Sequence, residues 1–397
     1  MSSPNHKVPS EIFAQIFQDL RQVDQHACAL VCRRWQNEAG WLLWRHPIVT
    51  SKESLDTTIN VLKRSPELRD YVKSLRIRGD YQNRDHPDTR WVKDALIQLA
   101  RILPNVHSLV FEYWGAHPIC EDLLQALGTL QHVTEFTLRH CKVENLGALE
   151  KLVSKLPRLA VLRLEAVSLP QNYPCMPALL GEDPQVRFQP VPKLVFQPRS
   201  LDWEALALLE KYCPKHLELV NIVNWPGCQL YGRYLKFLGP RLEALTFRPT
   251  LPVVFSMEDS MDLMCEFDLS RNTKLRSLVL SITDANEDYP AWILPVLRSA
   301  ICNPLAEITF EMTLPSAKAL KTDTWDQTLS LLTQFWRKTL RKVRFVHRPV
   351  RDELVYSNKG EWFLEDATEI FRERFYALHC MRILEVVNAP LLELEYC

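Results

Sequence analysis

One short apolar pattern recurs along most of this 397-residue chain. It has the form apolar-x-x-apolar-x-apolar, as in Val72, Leu75 and Ile77, and its copies end at residues 77, 111, 138, 164, 196, 222, 247, 280, 310, 345 and 386. The intervals average about 31 residues. The last two apolar positions are two residues apart, which is the period of a strand with one buried face. Such units can bury their apolar residues only against their neighbours, so the pattern predicts a repeat protein.

Segments with helical periodicity separate the copies of this pattern. They are residues 91–103, 120–130, 146–156, 201–212, 325–336 and 361–378. A strand that alternates with a helix at this period resembles the leucine-rich repeat, whose strands line the concave face of a horseshoe. The Asn or Cys usual three residues after the last apolar position occurs only as Cys141. We therefore expect an α/β fold, either an irregular leucine-rich-repeat solenoid or, in some units, ordinary βα packing.

The first fifty residues predict three short helices. The first carries an apolar stripe that begins at Ile12. The second has Leu30, Val31 and Trp35 on one face, and the third is a short segment rich in Trp and Leu. About 35 residues enclose too little core to be stable alone, because small domains bury a small share of their surface. So much apolar surface predicts packing against something else.

In the order and spacing of its residues, this segment resembles the F-box. The resemblance rests on Val8-Pro9, Glu11-Ile12, Ile16-Phe17, Leu20, Asp24, the run from Leu30 to Trp35, and Leu43-Trp44-Arg45. Family members usually begin Leu-Pro, where this chain has Val-Pro. An F-box binds the Skp-family adaptor of a cullin–RING ubiquitin ligase. The resemblance implies that the adaptor-binding surface is formed or supported by Pro9, Ile12, Ile16, Leu20, Leu30, Val31, Cys32 and Trp35. For any one of these residues, packing within the helices is an equal alternative.

Together the two resemblances predict an F-box at residues 1–50, a linker helix region at 51–70 and a leucine-rich-repeat-like solenoid at 71–397. This layout resembles that of fungal F-box proteins with irregular leucine-rich repeats. It implies the substrate-recognition subunit of a Skp–cullin–F-box ligase, which links a substrate protein on the repeats to the adaptor at the F-box. A non-catalytic scaffold that binds the Skp adaptor without a cullin would share all of these features.

Residues that flank the last apolar position of each repeat should lie on the concave face, where a substrate would bind. The arginines among them are Arg76, Arg78, Arg139, Arg163, Arg248 and Arg344, with Arg348 just past the strand. The other polar residues at such places are Glu112, Glu165, Asn221, Glu311 and Glu385. We hypothesise that Arg344 and Arg348 bind an acidic or phosphorylated segment of the substrate, because arginine can bind such groups through two parallel hydrogen bonds. A plain solvated face explains these residues equally.

Composition argues against several other classes of function. The chain has 48 basic and 48 acidic residues, so no net field draws it toward nucleic acid or a membrane, although local basic runs favour a nucleic-acid binder. Glycine is scarce, with 10 residues where average usage of ~7% would give about 28. The sequence contains no GxSxG, HExxH or paired metal-ligand motif. We therefore expect no catalytic residue, no metal and no cofactor.

The 11 cysteines include no CxxC pair, and several fall within apolar periodic runs. This pattern indicates buried thiols in a reducing compartment rather than disulfides or a zinc site. No uncharged stretch reaches the ~18 residues of a membrane span. The first residues lack the apolar region of a signal peptide. We expect a soluble intracellular protein, cytoplasmic or nuclear.

Overall fold

The structure, a computed structural model, has a mixed α/β fold in which every strand pairing is parallel. It describes residues 12, 15–17, 20, 22–79, 90–115, 120–168, 191–198, 212–222, 225–249, 267–282, 292–312, 323–347, 369 and 371–388. The chain divides into two compact units, Met1–Pro174 and Cys175–Cys397. Each unit is a succession of strands joined in sequence order by helical or irregular connections.

The first unit begins with helices. Ile12 and residues 15–17 are helical, and they are followed by α1 (Gln22–Ala29) and α2 (Arg33–Arg45). The predicted boundaries of the second and third helices are wrong, because Leu30 and Val31 form the turn between α1 and α2. The backbone is extended at Cys32 (φ −161°, ψ 165°), which separates α1 from α2. Helix α2 begins at Arg33 and continues without a break to Arg45.

The remainder of the first unit is a five-stranded parallel sheet. Its elements are β1 (Ile48–Val49), α3 (Lys52–Arg64), β2 (Ser74–Arg78), α4 (Arg90–Ala100), β3 (Ser108–Glu112), α5 (Glu121–Thr129), β4 (Glu135–Arg139), α6 (Leu146–Ser154) and β5 (Val161–Glu165). A 3-10 turn (Pro66–Asp70) precedes β2. The strands lie side by side in sequence order. This is the alternation that the repeated pattern predicts.

Residues 51–70, predicted to be a linker helix region, carry the chain from β1 to β2. Helix α3 begins after Ser51, whose hydroxyl accepts a hydrogen bond from the Ser54 amide at 3.1 Å. The helix buries Leu55 and Leu62. This segment therefore serves as the helix of the first strand–helix–strand unit. The domain boundaries at residues 50 and 70 stay a prediction.

The amino-terminal helices pass almost directly into the sheet. Only His46 and Pro47 separate the last residue of α2, Arg45, from β1. The Arg45 carbonyl accepts a hydrogen bond from the Lys73 amide at 3.0 Å, and the Pro47 carbonyl accepts one from the Arg76 amide at 3.1 Å. These backbone bonds fasten the end of the helical segment to the beginning of the sheet.

The second unit contains seven parallel strands. Its elements are β6 (Lys193–Gln197), β7 (His216–Ile222), α7 (Trp225–Leu238), β8 (Ala244–Pro249), β9 (Ser277–Ile282), α8 (Ile293–Ser299), β10 (Glu307–Met312), α9 (Asp323–Trp336), β11 (Lys342–His347), α10 (Tyr376–Cys380) and β12 (Leu384–Asn388). These strands also pair in sequence order. Of the helix predicted at residues 201–212, all but the last residue lies outside the described residues.

Equivalent apolar positions of neighbouring repeats form continuous buried rows. In the first unit Leu75, Leu109, Phe136 and Leu162 are in register and wholly buried. In the second unit the helices add aromatic rings to these rows: the ring of Trp325 on α9 lies 5.5 Å from that of Phe310 on β10, edge to face. The core therefore lies between each sheet and the helices that cover it.

At β7 the repeated pattern occurs three residues earlier than the sequence indicated. Leu217 pairs with Leu194, and Leu219 pairs with Phe196, so these two leucines occupy the buried positions. A register shift between Val220 and Ile222 follows. The sequence is ambiguous here because apolar residues occur at both spacings. As a result Glu218, rather than the predicted Asn221, takes the outward position within the repeat.

The predicted burial of the cysteines is wrong for Cys32, Cys302 and Cys380, which are exposed, and correct for Cys141, a buried thiol of the first unit. Its Sγ lies 3.3 Å from the carbonyl oxygens of both Phe111 and Arg139. Burial away from solvent raises the pKa of Cys141 to about 12, although hydrogen bonds with the backbone of Trp114 and Arg139 act in the opposite direction. The neutral thiol thus ties the turn after β4 to the end of β3.

We expect the Cys141 thiol to resist alkylation by iodoacetamide at about pH 8 in the folded protein, while the exposed thiols of Cys302 and Cys380 react. The folded-state pKa lies above the ~8.5 of a free thiol. The buried neutral thiol therefore stabilises the folded state fully below about pH 8.5, and this contribution is lost as pH rises toward 12. Mass spectrometry of the alkylated chain measures the first effect, with urea-unfolded protein as the control. Equal alkylation rates for Cys141 and Cys302 would contradict the assignment.

Candidate functional site: an apolar surface on the first helices and a charged sheet face

The amino-terminal helices share a small core. Phe17, Ala39 and Leu42 are buried, and Leu20 and Trp35 pack partly buried against them. The rings of Phe17 and Trp35 meet edge to face at 5.4 Å between centroids. Two of the eight predicted adaptor-binding residues, Leu20 and Trp35, therefore belong to this core and could only support the surface.

Four aliphatic side chains of the same segment remain exposed to solvent. The exposed fractions are 47% for Ile12, 50% for Ile16, 87% for Leu30 and 63% for Val31. They are all the strongly exposed large aliphatic side chains in the described part of the chain; the other exposed large apolar residues there are aromatic. Apolar exposure concentrated in one short segment, residues 12–31, is typical of an interaction surface rather than of an ordinary solvated face.

Local hydrogen bonds hold the exposed residues in place. The Leu30 amide donates to the Ala27 carbonyl and the Val31 amide to the Cys28 carbonyl, each at 3.1 Å, which closes the turn between α1 and α2. Gln25 Nε2 donates to the Phe17 carbonyl at 2.8 Å and so holds the first helical segment against α1. The exposed side chains thus project from a backbone with regular hydrogen bonding.

Five of the eight predicted adaptor-binding residues are exposed to solvent. The exposed ones are Ile12, Ile16, Leu30, Val31 and Cys32. Leu20 and Trp35 are packed internally, and Pro9 lies outside the described residues. Because Phe17 is apolar like its neighbour Ile16, the sequence stripe could not separate the buried position from the exposed one.

A row of alternating charges crosses the sheet of the first unit. Arg78, Glu112, Arg139 and Glu165 occupy the same position in neighbouring strands. Arg139 donates to Glu112 at 3.0 Å and to Glu165 at 2.6 Å. Arg78 Nε lies 3.9 Å from Glu112. Because the strands are parallel and in register, residues of opposite charge at the same position of neighbouring repeats lie side by side and form a row of ion pairs.

Glu112 is the centre of this network. Its side chain is wholly buried, yet it lies within 4 Å of three guanidinium groups, the third being that of Arg76 at 3.7 Å. A second, more exposed pair joins Arg163 to Glu135 at 2.5 Å. From the sequence we expected Glu112 at the end of a strand but did not predict its ion pairs. Charges of alternating sign at this position of successive repeats can nevertheless be read from the sequence.

In the second unit Arg248 is held between two carboxylates. Its guanidinium forms two hydrogen bonds to Glu311, at 2.8 and 3.1 Å, and another to Glu218. Glu311 lies two strands away, and the small buried Ser281 occupies the strand between them. Burial lowers the pKa of Arg248, but Glu311 and Glu218 outweigh that effect, so the pKa is raised. Arg248 is thus a cationic bridge within the sheet.

Arg344 is also engaged by carboxylates of its own sheet. It donates to Glu385 at 2.8 Å and lies 3.7 Å from Glu307. Hydrogen bonds from Lys342 and Arg344 lower the pKa of Glu385. Arg348 lies outside the described residues. Every predicted substrate-binding arginine that the structure describes therefore has a carboxylate of the same sheet within 4 Å.

Within the described residues, no group of three or more His, Cys, Asp or Glu side chains is placed to hold a metal ion. The helices in that part of the chain are too short or too polar to cross a membrane.

Comparison with known proteins identifies one region of the chain. A family model described as F-box-like matches residues 6–50. That span contains the core around Phe17 and all four exposed aliphatic residues. No curated protein matches the chain. Residues 6–50 are therefore an F-box-like domain, a kind of domain that in general binds the Skp adaptor within ubiquitin ligase complexes.

We expect Glu112→Ala to lower the free energy of unfolding by about 2 kcal/mol or more, because it removes the buried carboxylate that lies within 4 Å of Arg76, Arg78 and Arg139. Breaking a wholly buried pair costs ~3–5 kcal/mol, and the partial exposure of these arginines reduces that figure. The matched control is Glu135→Ala, which removes a half-exposed pair and should cost about 1 kcal/mol or less. Urea unfolding measures both. Equal losses would show that burial of Glu112 does not govern the network.

Proposed function

We propose that this chain is the substrate-recognition subunit of a Skp–cullin–F-box ubiquitin ligase. The observation that carries the proposal is the exposure of Ile12, Ile16, Leu30 and Val31 within the residues that the F-box-like family model matches. In this proposal those four residues and Cys32 contact the adaptor, while Leu20 and Trp35 support the surface from within.

The apolar surface supplies part of the free energy needed to hold a partner. Fully burying an aliphatic side chain of this size contributes about 1.5–3 kcal/mol. The four side chains are each about half to nine-tenths exposed, so covering them gains on the order of 5 kcal/mol before the costs of association. Further contacts from the rest of the domain would have to supply the remainder.

We further propose that the two sheets form a degenerate leucine-rich-repeat solenoid of the kind seen in fungal F-box proteins. The parallel strands in sequence order and the buried rows that run across them support this reading. Its outward residues would hold the substrate protein. A ubiquitin-charged enzyme on the same complex would then meet substrate lysines at high effective concentration, so the chain itself needs no catalytic residue.

The connection between the F-box-like domain and the sheet of the first unit is short. Two residues separate α2 from β1, and backbone hydrogen bonds join the end of α2 to β2. An adaptor bound to the F-box-like domain would therefore be held at a defined distance from the first unit's sheet. This arrangement suits a protein that acts by positioning.

We expect Val31→Asp, alone or with Leu30→Asp, to abolish capture of the Skp adaptor when the full chain is purified from cells. A carboxylate at either place would be desolvated without a partner in the complex. Thermal stability should change little, because both side chains are exposed in the free chain. The matched control is Tyr71→Asp, which removes an exposed apolar residue outside the F-box-like domain.

The proteins recovered with the wild-type chain distinguish the alternatives. Recovery of both adaptor and cullin supports the ligase subunit. Adaptor without cullin supports a scaffold, and recovery of neither overturns both proposals. Adaptor capture by the Val31→Asp chain at the wild-type level would show that the exposed aliphatic residues are not the docking surface.

A further inference from the structure

The strands of the second unit begin at an edge where positive charge predominates. The segments that lead into β9 and β11, each with the first residue of its strand, span residues 269–277 and 333–342 and contain no Asp or Glu; the corresponding segment into β10, residues 296–307, contains one acid, Glu307. They carry eight basic residues: Arg271, Lys274, Arg276, Arg298, Arg337, Lys338, Arg341 and Lys342. Seven of the eight lie in the segments before β9 and β11, whereas Arg298 lies within α8.

Backbone hydrogen bonds place these segments side by side. The Ala306 amide donates to the Arg276 carbonyl at 2.8 Å, and the Arg341 amide donates to the Ala306 carbonyl at 2.9 Å. Adjacent strands are ~4.8 Å apart, so Arg276 and Arg341 begin about 10 Å from each other across the small Ala306. Lys338 Nζ donates to the Ile301 carbonyl at 3.1 Å and so lies over the loop before β10.

Seven of these eight cations are exposed, and the eighth, Lys342, pairs with Glu385. Six of the seven lie outside α8 and define what we call the basic edge: Arg271, Lys274, Arg276, Arg337, Lys338 and Arg341. No carboxylate of the described residues lies within 4 Å of the charged nitrogens of these six residues. Glu243 at the same edge pairs with Lys215 at 3.2 Å. The basic edge thus differs from the strand arginines, whose charges are paired within the sheet.

One large apolar side chain adjoins the basic edge. Trp336 ends α9 immediately before Arg337 and is 40% exposed. A cationic surface with an exposed aromatic ring can bind a ligand that combines negative charge with some apolar surface. Both acidic polypeptides and single-stranded nucleic acids have that combination.

We infer that the basic edge binds an acidic segment of a partner protein. The charge of the chain favours a short segment over a nucleic acid. Because 48 basic and 48 acidic residues cancel overall, the residues outside the eight basic positions carry a surplus of eight acids. A long polyanion would extend beyond the edge over this acidic remainder, whereas a segment of a few residues would not.

The spacing at the edge suits an extended peptide. A peptide in the extended polyproline II conformation has three residues per turn and advances by about 3.1 Å per residue, so acidic residues three apart lie on the same side, about 9 Å from each other. One carboxylate can therefore reach Arg276 while the other reaches Arg341. Each pair would be a charge-assisted hydrogen bond, and the arginine fork permits two bonds to a single carboxylate. If the proposed function holds, the acidic segment belongs to the substrate.

The test uses the full-length chain and a short fluorescent peptide rich in Glu, with the same peptide carrying Gln in place of Glu as the ligand control. We expect the Glu peptide to bind and the Gln peptide not to bind, with affinity that falls as salt is raised. The double variant Arg276→Glu/Arg341→Glu should bind the Glu peptide about tenfold more weakly, or worse. Fluorescence anisotropy measures each affinity.

The matched protein control is Arg233→Glu/Arg372→Glu, which reverses two exposed arginines of the same unit away from the edge. It should bind the Glu peptide as the wild type does. Unchanged binding by the edge variant, equal losses in both variants, or no binding by the wild type overturns the inference. Tighter binding of a single-stranded oligonucleotide than of the peptide also overturns it, in favour of nucleic acid. Adaptor capture by the edge variant reports separately on the proposed function.

Discussion

Burial of two apolar side chains per strand, in register across parallel strands, is the constraint on which the rest of this structure depends. Leu75 and Ile77 of one repeat have no core of their own, and they become buried only beside Leu109 and Phe111 of the next. The strands must therefore follow one another in sequence order at a common register. Every other feature of the sheets, including the placement of charge, is a consequence of that register.

The register decides how charged residues meet. Equivalent positions of adjacent repeats lie about 4.8 Å apart. Residues of opposite sign at one repeat position therefore pair, as Glu112 and Arg139 do. Before the strands, Arg276 and Arg341 carry the same sign on either side of the neutral Ala306, so they cannot neutralise each other. The same geometry thus produces a paired charged face and an unpaired basic edge, which is why the two differ in what they can bind.

The sequence predicted the strands well because their signal is local. The two apolar positions of each repeat identify β2 to β6 and β8 to β12, while at β7 the competing spacing that includes Leu219 misled the reading by three residues. Helix boundaries near Cys32 were wrong because an apolar stripe does not reveal where extended backbone interrupts a helix. The F-box resemblance was confirmed as an F-box-like domain at residues 6–50, whereas substrate contacts and the leucine-rich-repeat assignment stay predictions.

By itself the sequence determined that this chain alternates strands and helices around shared apolar rows and begins with an F-box-like segment, because both depend on spacing along the chain. Tertiary structure alone decided which members of an apolar stripe are available to a partner: Phe17 is buried and Ile16 is exposed. It also decided that Arg248 reaches Glu311 across an intervening strand. Exposure and ion pairing depend on distances between residues far apart in sequence, and only the folded register sets those distances.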